Sequence, residues 1–149
     1  MNQQEPFSLQ NMLGFYVNRT AFLMSEGIAQ KFASLGYAIT AQDFGILSLL
    51  WTEDGLKHVD IARHILRDKT TITRRIDSLV KKGILSRKTD AKDRRITRVY
   101  LTAQGNEIQA KLIQAIIEFH EDLLQGISKQ DLQITIQTLN KIILNRTRT

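Results

Sequence analysis

The stretch KTTITRRIDSLVKKGILSRKTDAKDRRITRVYL, residues 69–101, contains a change of period that decides the fold. In its first half Ile72, Ile76, Leu79 and Val80 recur at i, i+4, i+7 and i+8, one apolar face of a helix. The opposite face carries Thr70, Thr71, Arg74, Asp77, Ser78 and Lys81, all polar. Gly83 is a natural residue to follow the helix, because glycine enters the left-handed region without steric cost. Beyond it the period becomes two. Ile84–Lys88 and Thr97–Leu101 read as short strands flanking the charged segment Thr89–Ile96, which makes a β-hairpin.

Upstream, Val59, Ile61, Ala62, Ile65 and Leu66 mark another short helix, starting shortly after Asp54-Gly55. Two short helices with a tight joint, the second polar on its outer side, fit a helix-turn-helix. Further upstream, Thr40 and Asp43 have the spacing of a capping box opening a helix with Phe44, Ile46, Leu47, Leu49, Leu50 and Trp51. That helix is apolar on nearly all sides, so it belongs at the centre. Leu9, Met12, Leu13, Tyr16, Val17, Leu23, Ile28 and Phe32 place a long helix over about 8–35, stopped by Gly36. Downstream, Thr102 caps a long helix carrying Ile108, Leu112, Ala115, Ile116 and Phe119. Ser128 with Asp131 opens a last one through Leu132, Ile136, Leu139 and Ile143. The fold class is therefore mainly α with a small β-hairpin.

Composition narrows the function. The chain has 149 residues, 42 % hydrophobic, with a mean hydropathy of -0.21, as expected of a globular protein. No apolar run approaches the ~18–20 residues of a membrane span. The opening MNQQEPFSLQ lacks a basic region followed by an apolar core, so no signal peptide is expected. With no cysteine, disulfides, thiolate catalysis and thiol sensing are excluded, and a cytoplasmic location is the expectation. Net charge is +6, unevenly placed. Lys57–Arg98 holds 14 of the 21 basic and 5 of the 15 acidic residues, a net +9 that leaves −3 elsewhere. A polyanion partner is the physical reading.

The order and spacing of these pieces resemble the MarR family of winged helix-turn-helix transcriptional regulators. The resemblance covers about Leu9 to Leu144. It is carried by Leu13-Gly14, Leu35-Gly36, Ile39-Thr40, the helix 71–83, the wing motif Asp90-Ala91-Lys92-Asp93-Arg94-Arg95, and Leu101-Thr102-Ala103-Gln104-Gly105. It implies a homodimer, with a helical dimerisation domain from 8–35 and 103–146. A winged helix-turn-helix DNA-binding domain spans 40–102, its wing about 84–101. The apolar stripes of the terminal helices, too extensive for one short bundle, independently favour an interface.

A helix in the major groove offers its N-terminal outer face to base edges, where Thr70, Thr71 and Arg74 lie. Arginine can bond guanine O6 and N7 together, and a threonine methyl can touch the thymine methyl. Lys69, Thr73, Arg75, Lys81 and Lys82 are better placed for phosphates, which position without specifying. In the wing, Lys92, Asp93, Arg94 and Arg95 complete the set. The resemblance implies that the arginine two residues after an aspartate enters the minor groove, where the potential is strongly negative. Asp93 and Arg95 fit that role, Asp93 gripping the guanidinium in a fork, although the sequence leaves open which of Arg94 and Arg95 enters.

No catalytic residues are expected. His58, His64 and His120 form no metal-binding spacing, and no HExxH, phosphate-binding loop or nucleophile elbow is present, so neither a metal nor a cofactor is expected. The resemblance implies release of DNA when a small aromatic or phenolic effector enters a crevice between the domains. Phe15, Tyr16, Arg19, Phe22, Trp51 and Tyr100 are the candidates for its walls. Two function classes follow: a sequence-specific repressor that binds pseudo-palindromic operators as a homodimer and is released by a small-molecule effector, and an architectural protein that binds any duplex without an effector.

Overall fold

Every glycine at positive φ among the described residues ends or joins a helix, and these positions punctuate the chain. The computed structural model describes residues 7–65 and 67–148. Leu66, assigned to a short helix above, and the N-terminal segment 1–6 lie outside them. The elements are a 3-10 turn at Leu9–Asn11, α1 (Leu13–Ser34), α2 (Ala41–Thr52), β1 (Leu56–Lys57), α3 (His58–Ile65) and α4 (Lys69–Lys81). There follow β2 (Leu85–Thr89), β3 (Thr97–Leu101), α5 (Ala103–Glu107), α6 (Gln109–Leu123) and α7 (Lys129–Thr147). The mainly helical fold with a small sheet is the one expected.

Two helix ends show how local sequence sets the boundaries. After α1, Gly36 at φ 89° lets its N–H reach Ala33 O while the Tyr37 N–H returns to Phe32 O. Gly83, at φ 74°, repeats the pattern after α4, with bonds to Val80 O and from Ile84 to Leu79 O. Both are Schellman closures, which satisfy carbonyls a helix end otherwise strands. At the other end of α2, Thr40 and Asp43 form the reciprocal box read from their spacing.

Three expectations require correction. The long helix from residue 8 is divided, because Met12 adopts extended backbone between the first turn and α1. The long helix after Thr102 is interrupted at Ile108, separating α5 from α6. The first wing strand starts at Leu85, one residue later than Ile84, which is buried beneath the sheet. The sheet also has a third strand absent from the sequence reading. β1 pairs antiparallel with β3, giving the order β1-β3-β2. Leu56 opposes Val99 and Lys57 opposes Arg98, while Lys88 opposes Arg98 from the other side.

The chain divides into two compact units, Met1–Ile116 and Ile117–Thr149. The core of the first gathers Phe32, Ile46, Leu47 and Leu50 with Ile61 of α3, Ile72, Ile76 and Leu79 of α4, Val99 of β3 and Leu112 of α6. Each such side chain contributes about 1.5–3 kcal/mol by leaving water. The α4 residues in that list are the apolar stripe of the opening sequence, so burial of one face fixes which polar face looks outward. Gly105 explains the small residue after Leu101-Thr102. A Cβ there would collide with the Ile84 carbonyl, and the Gly105 carbonyl accepts from Trp51 Nε1 at 3.0 Å. In the second unit, Gly126 at φ 80° turns the chain, and the Ser128 hydroxyl accepts from the Asp131 N–H to cap α7.

Candidate nucleic-acid interface

The outer end of α4 is organised by Asp68, a cap the sequence reading passed over. Its carboxylate accepts from the Thr71 N–H at 2.9 Å and from the Thr71 hydroxyl at 2.6 Å. Those two bonds hold the Asp68 carboxyl below the usual carboxylate range. An aspartate directly ahead of a helix is a common cap, so the signal was present in Asp68 followed by Lys69. Beyond the cap, Lys69, Thr70 and Arg74 are exposed, and Thr71 and Thr73 are half-buried. The Thr71 hydroxyl is committed to its own helix end.

Not every cation assigned to phosphate is equally available. Arg75 Nη1 lies 3.9 Å from Asp43 Oδ1, an oxygen of a carboxylate only 1 % exposed. That oxygen has no hydrogen bond, while Oδ2 accepts from the Thr40 N–H at 2.9 Å. Arg75 is thus turned toward the start of α2 by the nearest buried negative charge. Lys82 Nζ donates to the Ala38 carbonyl, tying the end of α4 to the loop before α2. Lys81 is exposed.

The wing carries the sharpest geometry. Arg95 Nε donates to Asp93 Oδ1 at 3.1 Å and Arg95 Nη2 to Asp93 Oδ2 at 3.1 Å. The Arg95 N–H adds a bond to Asp93 Oδ1 at 3.0 Å. The fork read from the sequence is therefore formed, on a guanidinium 91 % exposed. These bonds lower the Asp93 carboxyl and raise the Arg95 guanidinium. Arg94 and Lys92 are exposed beside it.

Three charged partnerships escaped the sequence reading. Asp90 Oδ1 accepts from the Lys92 and Asp93 N–H groups at 2.8 and 3.1 Å, and Arg98 Nε donates to Asp90 Oδ2 at 2.6 Å. The Arg98 bond, followed by the two backbone donors, pushes the Asp90 carboxyl down to about 2. Arg87 of β2 pairs with Asp77 on the outer side of α4, and its Nε lies 3.4 Å from His58 Nε2. Burial first, then the Arg87 and Lys69 charges, lowers the His58 pKa. Arg87 shares the inward side of the hairpin with its partner Val99, and a charged residue at an inward position needs a partner. That much was readable. The identity of the partner was not.

A cavity of about 500 Å³ separates α4 from the wing. Lys69, Thr73 and Arg95, three of the residues assigned to DNA, border it together with His58, Asp77 and Arg87. None of the six effector candidates lines it. Phe15 and Tyr16 meet edge to face at 5.3 Å, Arg19 and Phe22 are exposed, and Trp51 packs on Phe44. Tyr100 lies against Gly55, with Lys88 Nζ 5.2 Å from its ring centroid. Among the described residues no group of three or more His, Asp or Glu could hold a metal ion, and no helix is long and apolar enough to cross a membrane.

Known proteins resemble this chain in both sequence and fold. A family model described as the MarR family matches residues 39–97, from α2 through the wing tip. The uncharacterized HTH-type transcriptional regulator YdgJ of Bacillus subtilis (strain 168) is 29 % identical over 97 residues. That match covers 65 % of this chain and 59 % of the relative, so the chain spans less than two thirds of the relative's length. The crystal structure of a MarR transcriptional regulator from Methanosarcina mazei Go1 superposes with a TM-score of 0.77 at 28 % identity, covering 89 % of this chain and 94 % of the other. BpsR of Bordetella bronchiseptica, whose DNA binding is regulated by 6-hydroxynicotinic acid, shares the fold with a TM-score of 0.83 at 20 % identity, over 92 % and 96 % of the two chains. The helix-turn-helix and most of the wing, residues 39–97, thus match the MarR family model, and the chain shares its winged-helix fold with these MarR-family structures.

Proposed function

We propose that this chain is a sequence-specific DNA-binding transcription regulator of the cytoplasm, acting as a homodimer on pseudo-palindromic operators. The observation that carries the reading is the Asp93–Arg95 fork, which presents an exposed cation at the wing tip. On α4 the exposed Thr70 and Arg74 offer the hydrogen-bonding chemistry of major-groove readout. In this reading α4 reads bases, Arg95 enters the flanking minor groove, and Lys69, Lys81, Lys92 and Arg94 meet phosphates. The dimerisation domain is the one assigned to 8–35 and 103–146. Support for it comes from each unit separately: Leu13, Tyr16, Phe22 and Leu23 of α1 are exposed, as are Ile134, Ile136 and Ile143 of α7. Apolar surface of that extent is usually covered by a partner.

The reading extends to repression relieved by a small aromatic or phenolic effector. BpsR, regulated by an aromatic acid, is a precedent of the same fold and supports the class of compound only. Phe15, Tyr16, Arg19, Phe22, Trp51 and Tyr100 remain the residues proposed to meet it.

The deciding experiment selects bound fragments from the source genome and compares one palindromic winner with a random duplex of equal length at one salt concentration. Specific binding about 10³-fold tighter or more supports the proposal. Equal affinity for both duplexes favours an architectural role instead.

A further inference from the structure

Arg98 sits where a basic side chain is electrostatically awkward. It is the middle member of a cross-strand row, with Lys57 beside it on β1 and Lys88 on β2. Like charges directly opposite destabilise a sheet, so the guanidinium needs compensation. It receives it from two directions. Nε donates to Asp90 Oδ2 at 2.6 Å, and Nη1 donates to the Gly55 carbonyl at 2.9 Å. Gly55 belongs to the turn between α2 and β1, which Asp54 fastens to the sheet by accepting from the Leu101 N–H at 3.0 Å. Arg98 therefore spans from the body of the winged unit to the first residue of the wing loop.

Asp90 passes that anchorage on. Its other oxygen accepts from the Lys92 and Asp93 N–H groups, and its own N–H donates to Ile96 O at 2.8 Å. The loop 90–96 is folded around this one side chain, and Asp93, so placed, holds Arg95. The Asp90 and Arg98 side chains are only 15 % and 34 % exposed, and both Asp90 oxygens and two of the three Arg98 nitrogens, Nε and Nη1, are already partnered within the protein.

We propose that Asp90 and Arg98 are positioning residues for DNA recognition: the Gly55–Arg98–Asp90 chain of hydrogen bonds sets the wing loop so that Asp93 can aim Arg95, and Arg98 itself contacts no phosphate. This rests on the reading that Arg95 enters the minor groove. A hairpin tip held by only two paired strands is marginal, so a third anchor to the body has a direct consequence for aim.

The test uses the full chain and two 30-bp duplexes, one carrying a central A-tract and one rich in G and C, because a narrow A-tract minor groove favours an inserted arginine. Affinities are measured across a salt series for wild type, Arg95→Ala, Arg98→Ala, Arg98→Lys, Asp90→Asn and the double variant Arg95→Ala/Arg98→Ala. Loss of the A-tract preference, with affinity for that duplex falling about tenfold, is expected for Arg98→Ala and Asp90→Asn. The salt slope should be unchanged, since a lost phosphate contact would lower it by roughly 0.9. Arg98→Lys should behave as Arg98→Ala, because an ammonium cannot make the same two-point grip. In the Arg95→Ala background, Arg98→Ala should add little. Full binding by Arg98→Lys, a reduced salt slope, or plain additivity of Arg95 and Arg98 losses would overturn the positioning role while leaving Arg95 in place. An Arg95→Ala variant with undiminished A-tract preference would overturn the minor-groove reading and the positioning role together.

Discussion

Arg87 on β2 and Asp77 on α4 form an ion pair between the wing and the outer helix, and the same guanidinium directs its Nε toward His58 Nε2. The contact with His58 requires an unprotonated acceptor nitrogen. Lys69 also raises the local positive potential, while Asp77 opposes it.

Stability should therefore depend on the charge of His58. Its pKa is lowered from 6.5 in the folded protein, first by burial and then by Arg87 and Lys69. The unfolded chain takes up the proton at a higher pH than the folded one, so protonation favours unfolding. The contribution is complete above pH 6.5 and is lost as pH falls through the lower folded value. Urea unfolding of the DNA-free protein between pH 7.5 and about 5 should show a slope that His58→Gln reduces. An unchanged slope in His58→Gln would assign the dependence to other groups.

Two glycines should respond in opposite directions to one added methyl. Gly105→Ala drives a Cβ into the Ile84 carbonyl, a backbone atom that cannot rotate away, and should cost about 1–3 kcal/mol. Gly45 lies within α2, where an added Cβ meets only Ile65 Cδ1 at 3.9 Å. Gly45→Ala should gain about 0.5–1 kcal/mol from helix propensity. Urea midpoints at constant m-value measure both changes. A neutral Gly105→Ala would mean that the α5 turn slides freely over β2.

What was legible in the sequence was local. The Thr40–Asp43 box, the Gly83 closure and the Asp93–Arg95 fork each lie within a few residues, and their chemistry is the same whatever surrounds them. What escaped depended on distant partners. β1 has two residues and exists through its pairing with β3, some forty residues later, so it carries no periodic signal of its own. Arg87 and Asp77 are ten apart and Trp51 and Gly105 fifty-four apart, and only the tertiary fold brings them together. Asp90 and Arg98 were hidden in a different way. Both belong to a segment so charged that any of several pairings was available, and the strand register selected one. The divided first helix reflects Met12, whose extended backbone no spacing rule marks.

If α4 reads bases as proposed, exposed Arg74 and anchored Lys82 should separate by kind of effect. Arg74→Ala is expected to cost roughly 1–3 kcal/mol on the selected operator and to relax preference at one or two base pairs. Lys82→Ala removes the tie to the Ala38 carbonyl at the far end of α4 and should cost less, equally on all sequences. Binding to an operator and to single-base variants of it distinguishes the two. Equal losses by Arg74→Ala on operator and random duplex would make Arg74 a phosphate contact.

The central claim is that the wing aims an arginine, and Asp93→Ala tests it most directly because two physical arguments predict opposite signs. Counting charge alone, removing a carboxylate near phosphates tightens binding. If the fork instead orients Arg95, its loss lets the guanidinium wander, and binding weakens. The second effect should win, since one additional charge is screened over about 8 Å in physiological salt, whereas insertion into a groove needs a fixed direction. The measurement is a set of isotherms on the selected operator at one salt concentration for Asp93→Ala, Arg95→Ala and the double variant. The account predicts weaker binding by Asp93→Ala, a larger loss for Arg95→Ala, and a double variant little worse than Arg95→Ala. Tighter binding by Asp93→Ala, or losses that simply add, would contradict it.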